Sequence, residues 1–223
     1  IGPIQTPEQE PTWEAKKPKP SRDSGLVSRK IYSTKYYYNN RLRQLRPILK
    51  YLGPEIFLAG GSLRTVLECS NEEVSDFDLF FKTFKVVDYL RDRLEEDGWE
   101  NTFSCPENKL FSYKKGKHKV QLICEIEYAD AKQLLYSFDV TACCGAYHEG
   151  RIYFSRPFVR AVFSKKLRIQ NVEFPVATMK RLVKYEKKGY NISQACVDLV
   201  KHMEGKVFNN EKTSSNETSN SEC

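Results

Sequence analysis

Hydrophobic positions change period sharply over residues 55–81. Ile56, Phe57 and Leu58 form an unbroken apolar run, the pattern of a short strand covered on both faces. Gly60, Gly61 and Ser62 interrupt it, and Leu63, Val66 and Leu67 follow at helical spacing. Asp76, Phe77, Asp78, Leu79, Phe80 and Phe81 then read as a second strand. Strand side chains alternate, so Asp76 and Asp78 share one face and Phe77 and Leu79 the other. The pattern predicts a strand, a glycine turn, a short helix and an acidic strand, in that order.

The same reading runs along the rest of the chain. Tyr38, Leu42, Leu45, Ile48, Leu49 and Leu52 form a stripe that predicts a helix over 29–52, kinked or broken at Pro47. Val86, Val87, Leu90 and Leu94 predict a helix over 84–97, stopped by Gly98. Strands are expected over 99–104, 109–115 and 119–127, a short helix over 129–137, and a strand over 138–147. A turn at 148–150 leads into a returning strand over 151–154. Helices are expected around 158–164, over 176–188 with Met179, Leu182, Val183 and Tyr185 inward, and over 192–203. This mixture predicts an α+β fold, a mixed β-sheet flanked by helices with short C-terminal helices. Five prolines and Lys16, Lys17 and Lys19 mark residues 1–27 as a disordered basic arm. Residues 28–172 then form the main domain, 173–204 a helical extension and 205–223 a disordered polar tail.

Composition narrows the class. The chain has 223 residues, 40% hydrophobic and 13% aromatic, enough for a globular core. No apolar run approaches the ~20 residues of a membrane helix, and no signal peptide is visible at the N-terminus. The absence of an initial Met points to a processed product or an excerpt. Seven cysteines without a CxxC pair read as reduced thiols in a cytoplasmic protein, with no zinc site expected. The net charge of +7 is unevenly spread. Residues 1–50 and 151–190 are basic, whereas residues 51–150 are acidic. An acidic centre between basic flanks suits metal chemistry on a polyanion.

Candidate chemistry concentrates where the pattern is sharpest. A glycine turn lets a ligand approach the backbone, and a helix after it turns its N–H groups toward a phosphate. Mg²⁺ is commonly held by one or two carboxylates plus substrate phosphates. Gly60, Gly61, Ser62, Leu63 and Arg64, followed by Asp76 and Asp78, resemble the polymerase-beta-like nucleotidyltransferase superfamily. The closer likeness is to the catalytic head of the poly(A) polymerase and tRNA CCA-adding branch, with its Gly-Gly-x-Val-Arg-Asp turn and Asp-x-Asp strand. Thr65 stands where that turn ends in an acid. The resemblance implies that Asp76 and Asp78 bind Mg²⁺ or Mn²⁺, and that Gly60, Gly61, Ser62 and Arg64 bind the nucleotide.

Two further motifs match more loosely. Asp139 and Thr141 align with the acid and threonine of the branch's Arg-Arg-Asp-Phe-Thr-Ile-Asn-Ala motif, whereas Ser137, Phe138 and Cys143 replace its arginines and asparagine. The resemblance makes Asp139 a catalytic candidate that orients the nucleotide or assists the metal site. Lys180 and Arg181 are the nearest equivalents of the arginines on the branch's following helix, which touch nucleotide or primer. Many members of the superfamily carry a third carboxylate on a strand of apolar–Asp–apolar pattern. Here Val120, Gln121 and Leu122 occupy that pattern.

The function implied is template-independent transfer of a nucleoside monophosphate from an NTP to a hydroxyl, most readily an RNA 3′ end. Two alternatives stay open: a degenerate fold that binds RNA, and an enzyme that nucleotidylates a protein or small molecule. The acceptor, the nucleotide added and the oligomeric state are not readable from sequence.

Overall fold

The computed structural model describes residues 31–35, 42–68, 72–107 and 109–205. The expected arm over 1–27, all but the first residue of the tail expected over 205–223, and Tyr38 of the expected helical stripe lie outside them. Eight strands form one sheet in the order β1-β8-β7-β2-β3-β6-β5-β4. In chain order these are β1 (Ile31–Lys35), β2 (Ile56–Ala59), β3 (Asp76–Phe81), β4 (Glu100–Cys105), β5 (Leu110–Lys115), β6 (His118–Glu127), β7 (Gly145–His148) and β8 (Arg151–Ser155). The β3–β6 pair is parallel and the other pairs are antiparallel, so the sheet is mixed, as expected. A separate parallel pair joins β9 (Lys166–Leu167) to β10 (Asn191–Ile192).

The helices are α1 (Arg46–Leu49), α2 (Gly61–Leu67), α3 (Val87–Glu96), α4 (Ala131–Ser137), α5 (Arg156–Ser164), α6 (Pro175–Lys187) and α7 over 194–205. The apolar residues that set the sequence pattern fill the centre. Phe57, Leu58, Leu63, Phe77, Leu79 and Leu122 are all fully buried in the main core. A second cluster gathers Val140, Ala142, Leu167, Leu182, Tyr185, Tyr190 and Val200 beneath α6.

Three expectations are corrected. Within the helix expected over 29–52, Ile31–Lys35 is an edge strand paired with β8. Among the described residues of that stretch, only a 3-10 turn at Leu42–Leu45 and the single turn of α1 are helical. That strand depends on a partner 120 positions away, at Ser155–Arg151, which local periodicity does not register. The strand expected over 138–147 is strand only from Gly145. Before it, Val140 bridges Ile169 and Thr141–Cys143 is a 3-10 turn. The Thr141 hydroxyl accepts the Arg168 N–H at 3.1 Å, and the Thr141 N–H donates to the Arg168 carbonyl at 3.0 Å. This stretch therefore pairs with the segment before α6 instead of extending the sheet. On α6, Val183 is exposed, and Leu182 and Tyr185 carry the packing.

Candidate active site

The glycine turn follows from backbone geometry. Gly60 has φ 83°, a region that favours glycine. A Cβ there would also stand 3.2 Å from the Asp78 carboxylate, so the acidic strand packs directly on the turn. The Gly60 N–H donates to the Gly145 carbonyl at 3.1 Å, tying the turn to β7. At Gly61 a Cβ would meet nothing within 4 Å, leaving the first residue of α2 open to a ligand. Ser62 is buried, yet its hydroxyl has no partner among the described residues.

Asp76 and Asp78 project from one face of β3 into the pocket that Gly61 and Ser62 line. Asp76 is exposed, and Asp78 is only partly open. Burial, reinforced by the charge of Asp76, pushes the Asp78 carboxyl up to about 6, against the pull of Lys184, Arg181 and Lys119. The parallel register sets Gln121 of β6 beside Asp78, where the resemblance leads one to look for a third acid. The Gln121 amide can donate to the Ser112 hydroxyl at 3.5 Å on the next strand. Among the described residues no group of three His, Cys, Asp or Glu side chains is placed to hold a metal.

The cationic wall comes from α6. Arg181, Lys184 and Lys188 line the same pocket. Their spacing is three and four residues, so they share one helix face. Lys180 lies about 100° round the helix from Arg181, exposed and outside the pocket lining. Sequence reasoning singled out Lys180 and passed over Lys184; the i, i+3, i+7 spacing with Arg181 was the available signal.

Two nominated residues are engaged with the protein itself. Arg64 is buried and bonded to Glu68 at 2.5 Å and to Glu72 at 3.2 Å. Its guanidinium also lies 5.7 Å from the centre of the Tyr185 ring. Glu68 in turn holds Lys165 at 2.9 Å and accepts from the Tyr190 hydroxyl. Asp139 is buried and accepts from the Thr178 hydroxyl at 2.9 Å and from Arg181. Its backbone carbonyl accepts from Gln170 and Asn171. The structure thus brings Gly61, Ser62, Arg64, Asp76, Asp78 and Arg181 to one pocket, with Gly60 beneath Asp78. Asp139 reaches that pocket through Arg181.

The fold has known counterparts. The architecture is the nucleotidyltransferase-like fold seen in tRNA CCA-adding and tRNA-processing enzymes. A CCA-adding enzyme complexed with ATP is similar with TM-score 0.56 and 14% identity, covering 76% of this chain and 46% of that one. A tRNA-processing enzyme in an apo form gives TM-score 0.53 at 19% identity, covering 76% and 48%. The Thermotoga maritima CCA-adding enzyme complexed with tRNA gives TM-score 0.53 at 16% identity, covering 76% and 45%. At such identities the likeness is one of fold.

By sequence the chain belongs to the Gabija anti-defense 2 family, whose pattern matches residues 30–165. It is 27% identical over 157 residues to Gabija anti-defense 2 of Bacillus phage SPbetaL7, covering 65% of this chain and 38% of that protein. The chain thus spans less than half the length of these relatives. Among the described residues no helix is long and apolar enough to cross a membrane.

Proposed function

We propose that this protein is a metal-dependent nucleotidyltransferase that moves a nucleoside monophosphate from an NTP to an acceptor hydroxyl, and that it serves a phage counter-defence role. The single observation that carries the reading is the Asp76–Asp78 pair packed on an open glycine turn, facing a cationic helix. The donor set fits Mg²⁺ or Mn²⁺, since two carboxylates on one face can share a cation with substrate phosphates. Asp76 and Asp78 would hold the cation, which when bound would supply neutralisation of phosphate charge and acidification of an acceptor hydroxyl.

The chain's own groups do the remaining work. Gly61 leaves room for the triphosphate, Gly60 lets the turn pack against Asp78, and the unpartnered Ser62 hydroxyl can donate to the phosphates. Lys184, Lys188 and Arg181 balance its negative charge. Asp139 holds Arg181 and Thr178, and so orients α6 against the pocket. Arg64 acts through Glu68 and Glu72, keeping α2 in place beneath the phosphates.

The finer reading, with an RNA 3′ end as acceptor in the cytoplasm, is supported by the basic flanks of the sequence and by the tRNA bound to one structural relative. A hydroxyl on a protein or small molecule is the second reading. The carboxylates that line the cleft beyond Asp78 favour it.

The test is incubation of the protein with Mg²⁺ or Mn²⁺, each α-labelled NTP in turn, and a pool of short RNAs and tRNA, with Asp76→Ala/Asp78→Ala in parallel. Metal-dependent transfer of label to RNA or to the protein, absent from the double variant, is expected. No label with any NTP, together with salt-dependent RNA binding that the double variant keeps, would leave only a binding module.

A further inference from the structure

Beyond Asp78 the charge of the site reverses. The nucleotide pocket and a second cleft of about 570 Å³ meet at Asp78 and Arg181. In phosphoryl transfer the attacking and leaving oxygens lie roughly in line. With the triphosphate along the glycine turn and α6, the acceptor therefore enters from the second cleft. That cleft has apolar walls, among them Phe80, Ile123 and Phe138, and its charged lining includes Glu107 and Glu125. It runs on through the same walls into a pocket of about 170 Å³ that adds Glu173 and Phe174.

Two cations, Lys109 and Arg181, also line the cleft, and the carboxylates Asp78, Glu107 and Glu125 outnumber them. Arg181 is paired with Asp139, and the Lys109 ammonium lies 5.2 Å from the centre of the Phe84 ring. Among the described residues, none of the ion pairs uses Glu107, Glu125 or Glu173. Like charge across an interface suppresses a partner, and complementary charge selects one. A phosphate-rich strand entering this cleft would face carboxylates, whereas Lys and Arg side chains would find partners.

Resting on the transfer reading above, we propose that the cleft beyond Asp78 is an acceptor site for a hydroxyl carried on a basic polypeptide segment. Apolar side chains of the segment lie against Phe80 and Phe138, and its cations meet Glu107 and Glu125. The continuous run from Asp78 to Glu173 suits an extended chain better than a compact molecule. In the reaction the Ser, Thr or Tyr oxygen of the segment attacks the α-phosphorus and a new P–O bond forms. The bond from that phosphorus to the bridging oxygen breaks, pyrophosphate leaves with the electron pair, and the hydroxyl proton passes to water. The product is a phosphodiester between side chain and nucleoside.

The experiment uses the full chain, Mg²⁺ or Mn²⁺ and an α-labelled NTP. The acceptors are a peptide array, in which Ser, Thr or Tyr is flanked by Lys/Arg, neutral or Asp/Glu residues, and a parallel pool of short RNAs. Label should favour the basic-flanked peptides. Glu107→Gln/Glu125→Gln should raise the KM for the best of them by about tenfold. The KM for NTP should stay unchanged, and Glu107→Lys/Glu125→Lys should turn the preference toward acidic flanks. Both glutamates are exposed, so these variants leave the core intact. Labelling of RNA ahead of every peptide, or the same peptide preference in wild type and both variants, overturns the acceptor assignment and leaves the transfer reading standing. No label on any acceptor and no pyrophosphate release overturns both.

Discussion

The two sides of the pocket between β3 and α6 are held in different ways. The carboxylate side, β2 through β3, rests on Phe57, Leu58, Leu63, Phe77 and Leu79, all without solvent exposure in the main core. The cationic side, α6, rests on a smaller cluster around Leu182 and Tyr185. It is pinned to the head by polar links: Asp139 to Thr178 and Arg181, and Glu72 to Lys188. Apolar burial is insensitive to salt and to single charges, whereas ion pairs respond to both. The carboxylate half is therefore the rigid reference, and the cationic half is the part that mutation and ionic conditions can move.

The largest stability effect is expected where the polar fastening is buried. The Glu68 side chain is 1% exposed and serves Arg64, Lys165 and Tyr190 at once. Glu68→Gln leaves Lys165 without its counter-charge and Arg64 with Glu72 alone, and breaking a buried pair in this way costs about 3 kcal/mol. Calorimetry should show a clear fall in Tm. Hydrogen exchange should accelerate in α6 well before β2 and β3. Equal acceleration across both regions would erase the contrast between the two sides.

A smaller effect of opposite sign is expected at Asp78. Its carboxyl is raised to about 6 from an ordinary value of 3.8. The folded state thus binds this proton more tightly than the unfolded state. The stabilisation is full below pH 3.8 and is lost as pH rises through 6. In metal-free protein, Asp78→Asn should therefore gain about 1–2 kcal/mol at pH 7, allowing for the partial exposure of Asp78. The gain should vanish near pH 4. Denaturant titrations at the two pH values measure it, and an equal gain at both would show that burial of the charge is not the cause.

These expectations rest on features of unequal legibility. The β2–turn–β3 unit was readable because its signals are local: an apolar run, two glycines, and alternation that puts both aspartates on one face. The mixed sheet was readable as a class for the same reason. The edge strand Ile31–Lys35 was not, since its partner is β8. Nor was the turn at Thr141–Cys143, whose backbone partner is Arg168. Arg64 and Glu68 stand at helical i, i+4 spacing, but sequence does not reveal that Tyr190 and Lys165 close over them. Asp139 was nominated from a motif, and its bonds to Thr178 and Arg181 became visible only with α6 in place. Long-range pairing and the burial of charge are tertiary properties, and no window of sequence carries them.

The smallest expected effect tests which face of α6 meets the nucleotide. Lys184 lines the pocket and contributes to the field at Asp78, whereas Lys180 is exposed and outside the pocket lining. An exposed cation facing phosphates across solvent is worth about 0.5–1 kcal/mol and weakens with salt. Lys184→Ala should raise the dissociation constant for a fluorescent NTP with Mg²⁺ by about three- to fivefold at low ionic strength, and by less at physiological salt. Lys180→Ala should leave it unchanged at both. Removing Lys184 also takes away the first of the cations that oppose the rise at Asp78, so its carboxyl should titrate higher in that variant and not in Lys180→Ala. If Lys180→Ala weakens binding as much as Lys184→Ala does, the helix presents no preferred face. The cationic side would then act as diffuse charge, and the i, i+3, i+7 row of Arg181, Lys184 and Lys188 would lose its meaning.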